Sequence, residues 1–223
     1  MMRVVRKHKL EGERWEVEKE RVGVVGWKIV VKGNKESTRE EWLKGREERE
    51  RFWVVGVSDT SAEGSGMGMG GGVREGGEEI MGWSVNGGRG LTVEMGEMYG
   101  VKKVLEWVER EYRGDRRRLL VGVDNVGVLR KLGKGRGFCG EIEQEVRRIG
   151  LRLLEKGWEI RLMWVAGHVG IEENKEVDER AKEGCWEDRE VGNVLGWSKW
   201  EQRRKEMERR WWKEFWVERI KGE

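Results

Sequence analysis

Proline is absent from the 223 residues, where about one residue in twenty is usual. Glycine and tryptophan are in excess, at 35 and 14 residues. A skew of this kind is expected of mutational bias in the gene, with drift from an ancestral sequence. Cysteine is scarce: Cys139 and Cys185 lie far apart and match no metal-ligand spacing. They are expected to be reduced thiols of an intracellular protein, nucleus and cytoplasm being indistinguishable on this ground. No apolar run reaches the roughly 18 residues that a membrane span needs. The basic start, Met1 to Leu10, is followed by no long apolar core, so it does not have the form of a secretory signal. No Gly-x-Ser-x-Gly occurs, which leaves an α/β-hydrolase serine without support.

Net charge is also small, at +3, but it is unevenly placed. Arg116, Arg117 and Arg118 form one basic cluster, Lys131, Lys134 and Arg136 a second, and Arg203 to Lys213 a third. Such patches can serve a phosphate backbone. With 40% of residues charged, chance clusters are expected about as often.

What the chain does have is an ordered run of elements. Residues 1–51 are expected to form a charged extension, weakly strand-like over Val22 to Val31, with Ser37 and Thr38 placed to cap a helix. From Phe52 the texture changes. Phe52 to Val57 is nearly continuous in apolar residues, as in a strand buried on both faces, and it ends at Asp59. Glycine-rich turns around Gly64 to Gly72 and a strand at Ile80 to Val85 suggest antiparallel hairpins. Gly66, Gly68 and Gly71 satisfy G-x-G-x-x-G, but a further strand follows where a dinucleotide site would open a helix. Helical spacing runs over Val93 to Arg110. Leu119 to Val123 is a second buried strand, ending at Asp124. A short helix over Val126 to Leu132, a basic loop over Gly133 to Gly137 and a longer helix marked by Ile142, Val146, Ile149 and Leu153 come next. Trp158 to Trp164 alternates like a half-buried strand, and a helix covers Glu172 to Glu183. The order predicts a mixed sheet of five strands covered by helices over 52–186. Residues 187–223 form a Trp-rich helical extension.

Four acids sit where an acid is costly. Asp59 and Asp124 each end a buried strand, the sheet end that favours ligand sites. Glu97 shares the core-facing stripe of its helix with Val101, Val104 and Val108. Asp178 lies beside Val177, near the inner face of the last helix. A carboxylate on a buried face should be paired, protonated or metal-bound. Oxygen-only ligands suit Mg²⁺ or Mn²⁺. Taken one at a time, each acid is better explained as ordinary turn chemistry, and only the four at matching places, in order, shift the balance.

Taken together, these residues resemble a known family, ribonuclease H. Val57-Ser58-Asp59-Thr60-Ser61 is similar to its first-strand motif, in which Asp-Gly-Ser is usual. Gly96-Glu97-Met98-Tyr99-Gly100 resembles its Ala-Glu-Leu-Tyr-Ala helix motif. Val123-Asp124-Asn125 resembles Ser-Asp-Asn at a strand end. Trp164 to Ile171 resembles Trp-Val-Pro-Gly-His-x-Gly-Ile, and Asn174 to Asp178 resembles Asn-Glu-x-Ala-Asp. The resemblance covers residues 52–185. Its flavour, with a charged helix before and a Trp-rich tail after, is that of fungal non-LTR retrotransposon polyproteins.

The resemblance implies a ribonuclease H-like α/β fold with helices on both faces of the sheet. It implies an endonuclease that hydrolyses the RNA strand of RNA–DNA hybrids with two Mg²⁺ ions, Mn²⁺ being an alternative. Asp59, Glu97, Asp124 and Asp178 would be the metal ligands, and His168 would assist proton transfer or product release. Ser61, Asn125, Lys131, Lys134, Arg136 and Asn174 would face the nucleic acid. A reverse transcriptase domain in a parent polyprotein would be the protein partner. Thr60, Ala166 and Val177 depart from the motifs, each adding or removing bulk beside the site. The alternative is a catalytically silent relic that retains nucleic-acid binding.

Overall fold

The computed structural model describes residues 26–31, 34–63, 66–88, 91–134, 141–167 and 171–187. Their strands are β1 (Lys28–Val30), β2 (Val54–Glu63), β3 (Gly66–Glu75), β4 (Glu78–Asn86), β5 (Arg118–Val123) and β6 (Glu159–Trp164). The helices are α1 (Lys35–Lys44), α2 (Arg46–Phe52), α3 (Val93–Arg110), α4 (Val126–Lys134), α5 (Glu141–Glu155) and α6 (Glu172–Gly184). One sheet holds every strand, in the order β1-β6-β5-β2-β3-β4. The β2–β3 and β3–β4 pairs are antiparallel, whereas β2–β5, β5–β6 and β6–β1 are parallel. The mixed sheet is as expected except in its strand count, which is six and not five. The sixth comes from the charged N-terminal segment, where Lys28, Ile29 and Val30 lie level with Arg161, Leu162 and Met163.

Period-two alternation divides the core between the two faces of the sheet. Val54, Leu119, Val121, Val123, Ile160 and Leu162 point to the face covered by α3, α4 and α5. Val30, Val55, Val57, Leu120 and Met163 point to the other, beneath Trp42 of α1 and Val177 of α6. Trp42 is fully buried. Gly122 lies beneath it, where a Cβ would stand 3.0 Å from Val165 Cγ2 and 3.4 Å from the indole ring. The helix that carries Trp42 starts at Asn34, not at Ser37 or Thr38. Asn34 accepts from the Ser37 amide at 2.8 Å, and the Ser37 hydroxyl accepts from the Asn34 amide at 3.2 Å, a reciprocal cap. Thr38 instead lies inside the helix, donating back to the Asn34 carbonyl.

From Gly66 onward the glycine-rich stretch is strand β3 rather than turns, paired to β2 and β4, with α6 lying directly against one face. A Cβ on Gly68 would stand 1.9 Å from the Ala181 carbonyl oxygen, and one on Gly70 2.4 Å from the Ala181 amide. Only a strand without side chains on that face admits a helix so close.

The basic cluster at 116–118 belongs to the scaffold. Arg116 pairs with Glu75 at 3.0 Å and donates to the Trp53 carbonyl at 2.7 Å. Arg117 lies over Trp158, and Arg118 pairs with Glu159. These residues enter β5, at the end of that strand opposite to Asp124.

Candidate metal centre

Strands β2 and β5 are paired from Val54 and Leu119 to Val57 and Gly122. Two residues further along each lie Asp59 and Asp124, so one register carries both acids to the same sheet end. Beyond Val123 the chain is tied down by two bonds. Val165 donates its amide to the Val123 carbonyl at 3.0 Å, and Trp164 donates its indole N–H to the Asp124 carbonyl at 2.9 Å. Gly167 passes so near that a Cβ would lie 3.1 Å from Asp124 Oδ2. On β2, Asp59 Oδ1 accepts from the Thr60 amide at 2.7 Å.

Glu97 arrives from α3, the longest of the helices. Thr92 caps it, accepting from the Met95 amide at 3.2 Å, and Glu94 and Arg110 sit at the ends that suit the helix dipole. The stripe Met98, Val101, Val104, Leu105 and Val108 drives the helix onto the sheet. Glu97 goes down with it and is only 1% exposed.

Asp59, Glu97 and Asp124 each present one carboxylate oxygen, and these three atoms all lie within 4.8 Å of one another. Neither oxygen of Glu97 has a hydrogen-bond partner of acceptable geometry, and neither has the buried Thr60 hydroxyl close by. Burial pushes the Glu97 carboxyl well above its ordinary range, and the charges of Asp124 and Asp59 push it further, with the Thr60 hydroxyl acting against them. Three acids at one point, one of them buried and unpartnered, form an all-oxygen set that fits a hard divalent cation.

This arrangement has a pH signature. An acid whose folded-state pKa is raised binds its proton more tightly when folded, so it costs stability as pH rises from the unfolded value, 4.5 for Glu97. In metal-free buffer the melting midpoint should fall as pH climbs from about 4.5 through the raised pKa of Glu97. Adding Mn²⁺, or substituting Glu97→Gln, should flatten that fall. Thermal melts in EDTA across the pH range check it, and an unchanged slope in Glu97→Gln would refute it.

The remaining expected site residues are placed less uniformly. Asp178 is half-buried on α6 and accepts from Lys182 Nζ at 2.7 Å. It is not one of the three acids that converge. Asn125 Oδ1 accepts from the Val128 amide at 3.3 Å, holding the start of α4. Asn174 is buried in the first turn of α6. Lys131 forms an ion pair with Glu94. The carbonyl of Ser61 faces the Cys185 thiol at 3.5 Å. His168, Arg136 and the side chain of Lys134 lie outside the described residues, as does the tail from residue 188 onward. Sequence reasoning missed Glu94 as a partner for Lys131 and the indole of Trp164 as a tether for Asp124. The Trp164 signal was available, since that residue opens one of the motifs.

No family model matches the sequence, and no curated protein is a detectable relative. Solved structures do match. The protease–reverse transcriptase of Prototype Foamy Virus is 20% identical with a TM-score of 0.51, over 63% of this chain and 22% of the viral one. The chain thus spans about a fifth of the viral protein's length. RNase H1 from the halophilic archaeon Halobacterium salinarum NRC-1 is 18% identical with a TM-score of 0.45, over 59% of this chain and 96% of that one. LC11-RNase H1, solved in complex with an RNA/DNA hybrid, is 16% identical with a TM-score of 0.45, over the same shares. The chain has the ribonuclease H-like α/β fold, and at these identities the likeness shows the fold alone.

Proposed function

We propose that this chain is a metal-dependent endonuclease that hydrolyses the RNA strand of RNA–DNA hybrids. The observation that carries the reading is the convergence of Asp59, Glu97 and Asp124 from β2, α3 and the end of β5, with Glu97 buried and unpartnered. Asp59, Glu97, Asp124 and Asp178 would hold two divalent cations, Mg²⁺ or Mn²⁺, with Asp178 exchanging its Lys182 partner for metal. Such ions supply a water that ionises near neutrality and neutralise charge on both the attacking and the leaving oxygen.

The chain's own residues do the rest. The Thr60 amide orients Asp59, and the Trp164 indole with the close passage of Gly167 fixes Asp124. His168 follows Gly167 in sequence and is assigned proton transfer or product release, a task suited to an imidazole that titrates near neutral pH. The substrate follows from the five motifs. A hybrid is told from DNA by 2′-hydroxyl contacts on one strand and held by phosphate contacts on the other. Ser61, Asn125, Lys131, Lys134, Arg136 and Asn174 are assigned to those contacts. Residues 52–186 would carry the activity, and a reverse transcriptase domain in a parent retroelement polyprotein would be the partner.

A second reading draws on the Asp178–Lys182 pair, which leaves the fourth acid spoken for. In it the chain binds nucleic acid without cutting. One experiment separates the two. A labelled RNA–DNA hybrid is incubated with the protein and Mg²⁺ or Mn²⁺, beside an Asp124→Asn control. Cleavage by the parent alone, leaving 5′-phosphate and 3′-hydroxyl ends, supports the nuclease. Salt-sensitive retention without cleavage by either protein supports the silent binder.

A further inference from the structure

At three contacts between α3 and β2 a side chain of one partner faces a glycine of the other. A Cβ on Gly96 would lie 2.5 Å from Thr60 Cγ2 and 2.6 Å from Thr60 Oγ1. One on Gly100 would lie 2.2 Å from Ser58 Oγ. At the third contact the roles reverse, and a Cβ on Gly56 would lie 2.3 Å from Val104 Cγ1. The spacing is four residues along the helix and two along the strand. Four helical residues advance about 6 Å and two strand residues about 6.6 Å, so the two repeats stay in step over this stretch. The chain directions are opposed: α3 numbers rise as β2 numbers fall. Each protruding side chain therefore has one notch to enter, and a slide of α3 in either direction drives a side chain into backbone.

Glu97 follows Gly96 directly. We infer that Thr60 is a positioning residue for Glu97: seated in the notch at Gly96, it fixes how far α3 sits along β2 and so delivers the buried carboxylate to Asp59 and Asp124. The β-branched Thr60 suits this task because its χ1 is stiff, so it cannot swing aside to let the helix slip. The departure of Thr60 from the Asp-Gly-Ser pattern is matched by the departure of Gly96 from the alanine that precedes the glutamate in the helix motif.

The test is a reciprocal exchange in the full chain, followed by two readouts. For stability, Gly96→Ala alone should lower the melting midpoint by about 5 °C or more, because the added methyl overlaps a stiff side chain. In a Thr60→Gly background the same substitution should raise the midpoint, since the notch is then empty and alanine is the better helix former. For positioning, Mn²⁺ binding is measured by titration calorimetry, a readout that rests on the metal-site reading above. Gly96→Ala and Thr60→Gly should each weaken binding about tenfold, and the double variant should recover to within about threefold of the parent. A like-signed, additive change in midpoint in both backgrounds would overturn the interlock. A double variant as weak in Mn²⁺ as the worse single would overturn the positioning role. Failure of the parent itself to bind Mn²⁺ would instead remove the nuclease reading, and the melting cycle would still decide the interlock.

Discussion

Glu97→Gln is expected to abolish hybrid cleavage while making the metal-free protein more stable. The loss should be about a thousandfold or more, roughly 4 kcal/mol of barrier at about 1.4 kcal/mol per decade. Glutamine keeps the shape of the side chain and its place under α3, so the fold has no reason to change. What goes is the negative charge, and with it the third oxygen anion of the cluster. The same charge is a burden when no cation is present, because it is buried, unpartnered and faces two other acids. At a pH above the carboxyl's raised pKa, the variant should melt about 3 °C or more above the parent in EDTA. Addition of Mn²⁺ should raise the parent's midpoint and leave the variant nearly unmoved. Gel assays of cleavage and melts with and without Mn²⁺ measure both halves. A variant that melts below the parent in EDTA would mean that Glu97 is held by something other than repulsion relieved by metal.

The second large effect lies far from any chemistry. Trp42→Ala should cost about 3–5 kcal/mol, as truncation of a fully buried tryptophan generally does. Against a total stability of about 5–15 kcal/mol, that leaves little margin. Trp42 closes the second face of the sheet over Val55, Val57, Leu120 and Met163, with the Arg49 guanidinium 4.1 Å above its ring. A fragment starting at residue 52 lacks both this ring and strand β1, so it should show the same deficit. Urea unfolding of the full chain, of Trp42→Ala and of the 52–223 fragment would measure it. Equal midpoints would show that the N-terminal segment contributes nothing to the core.

Much of this architecture was legible because apolar runs and polar breaks fell at informative places. Helix α3 runs from Val93 to Arg110 as its periodicity predicts, and both buried strands lead to the acids that meet. Three features were legible only in part. Strand β1 falls inside the weakly strand-like stretch at Val22 to Val31, but three residues in a charged segment are too few to fix its bounds or its place in the sheet. Strand β3 is written in glycine, a residue that local propensity assigns to turns; its ladders to β2 and β4 hold it extended, and α6 accounts for its bare face. Asp178 is spaced to reach Lys182 one turn away as well as a metal, and side-chain spacing alone does not choose between them. For the arginines at 116–118 the reason is different: charge density showed a cluster, but their partners Glu75 and Glu159 come from other strands.

The bare face of β3 ties the fourth acid to a part of the chain that carries no chemistry. Helix α6 rests on Gly68 and Gly70 through Ala181, and Asp178 rides on the same helix one turn earlier. A single methyl group at either glycine would push against the Ala181 and Arg180 backbone, lift the helix and carry Asp178 with it.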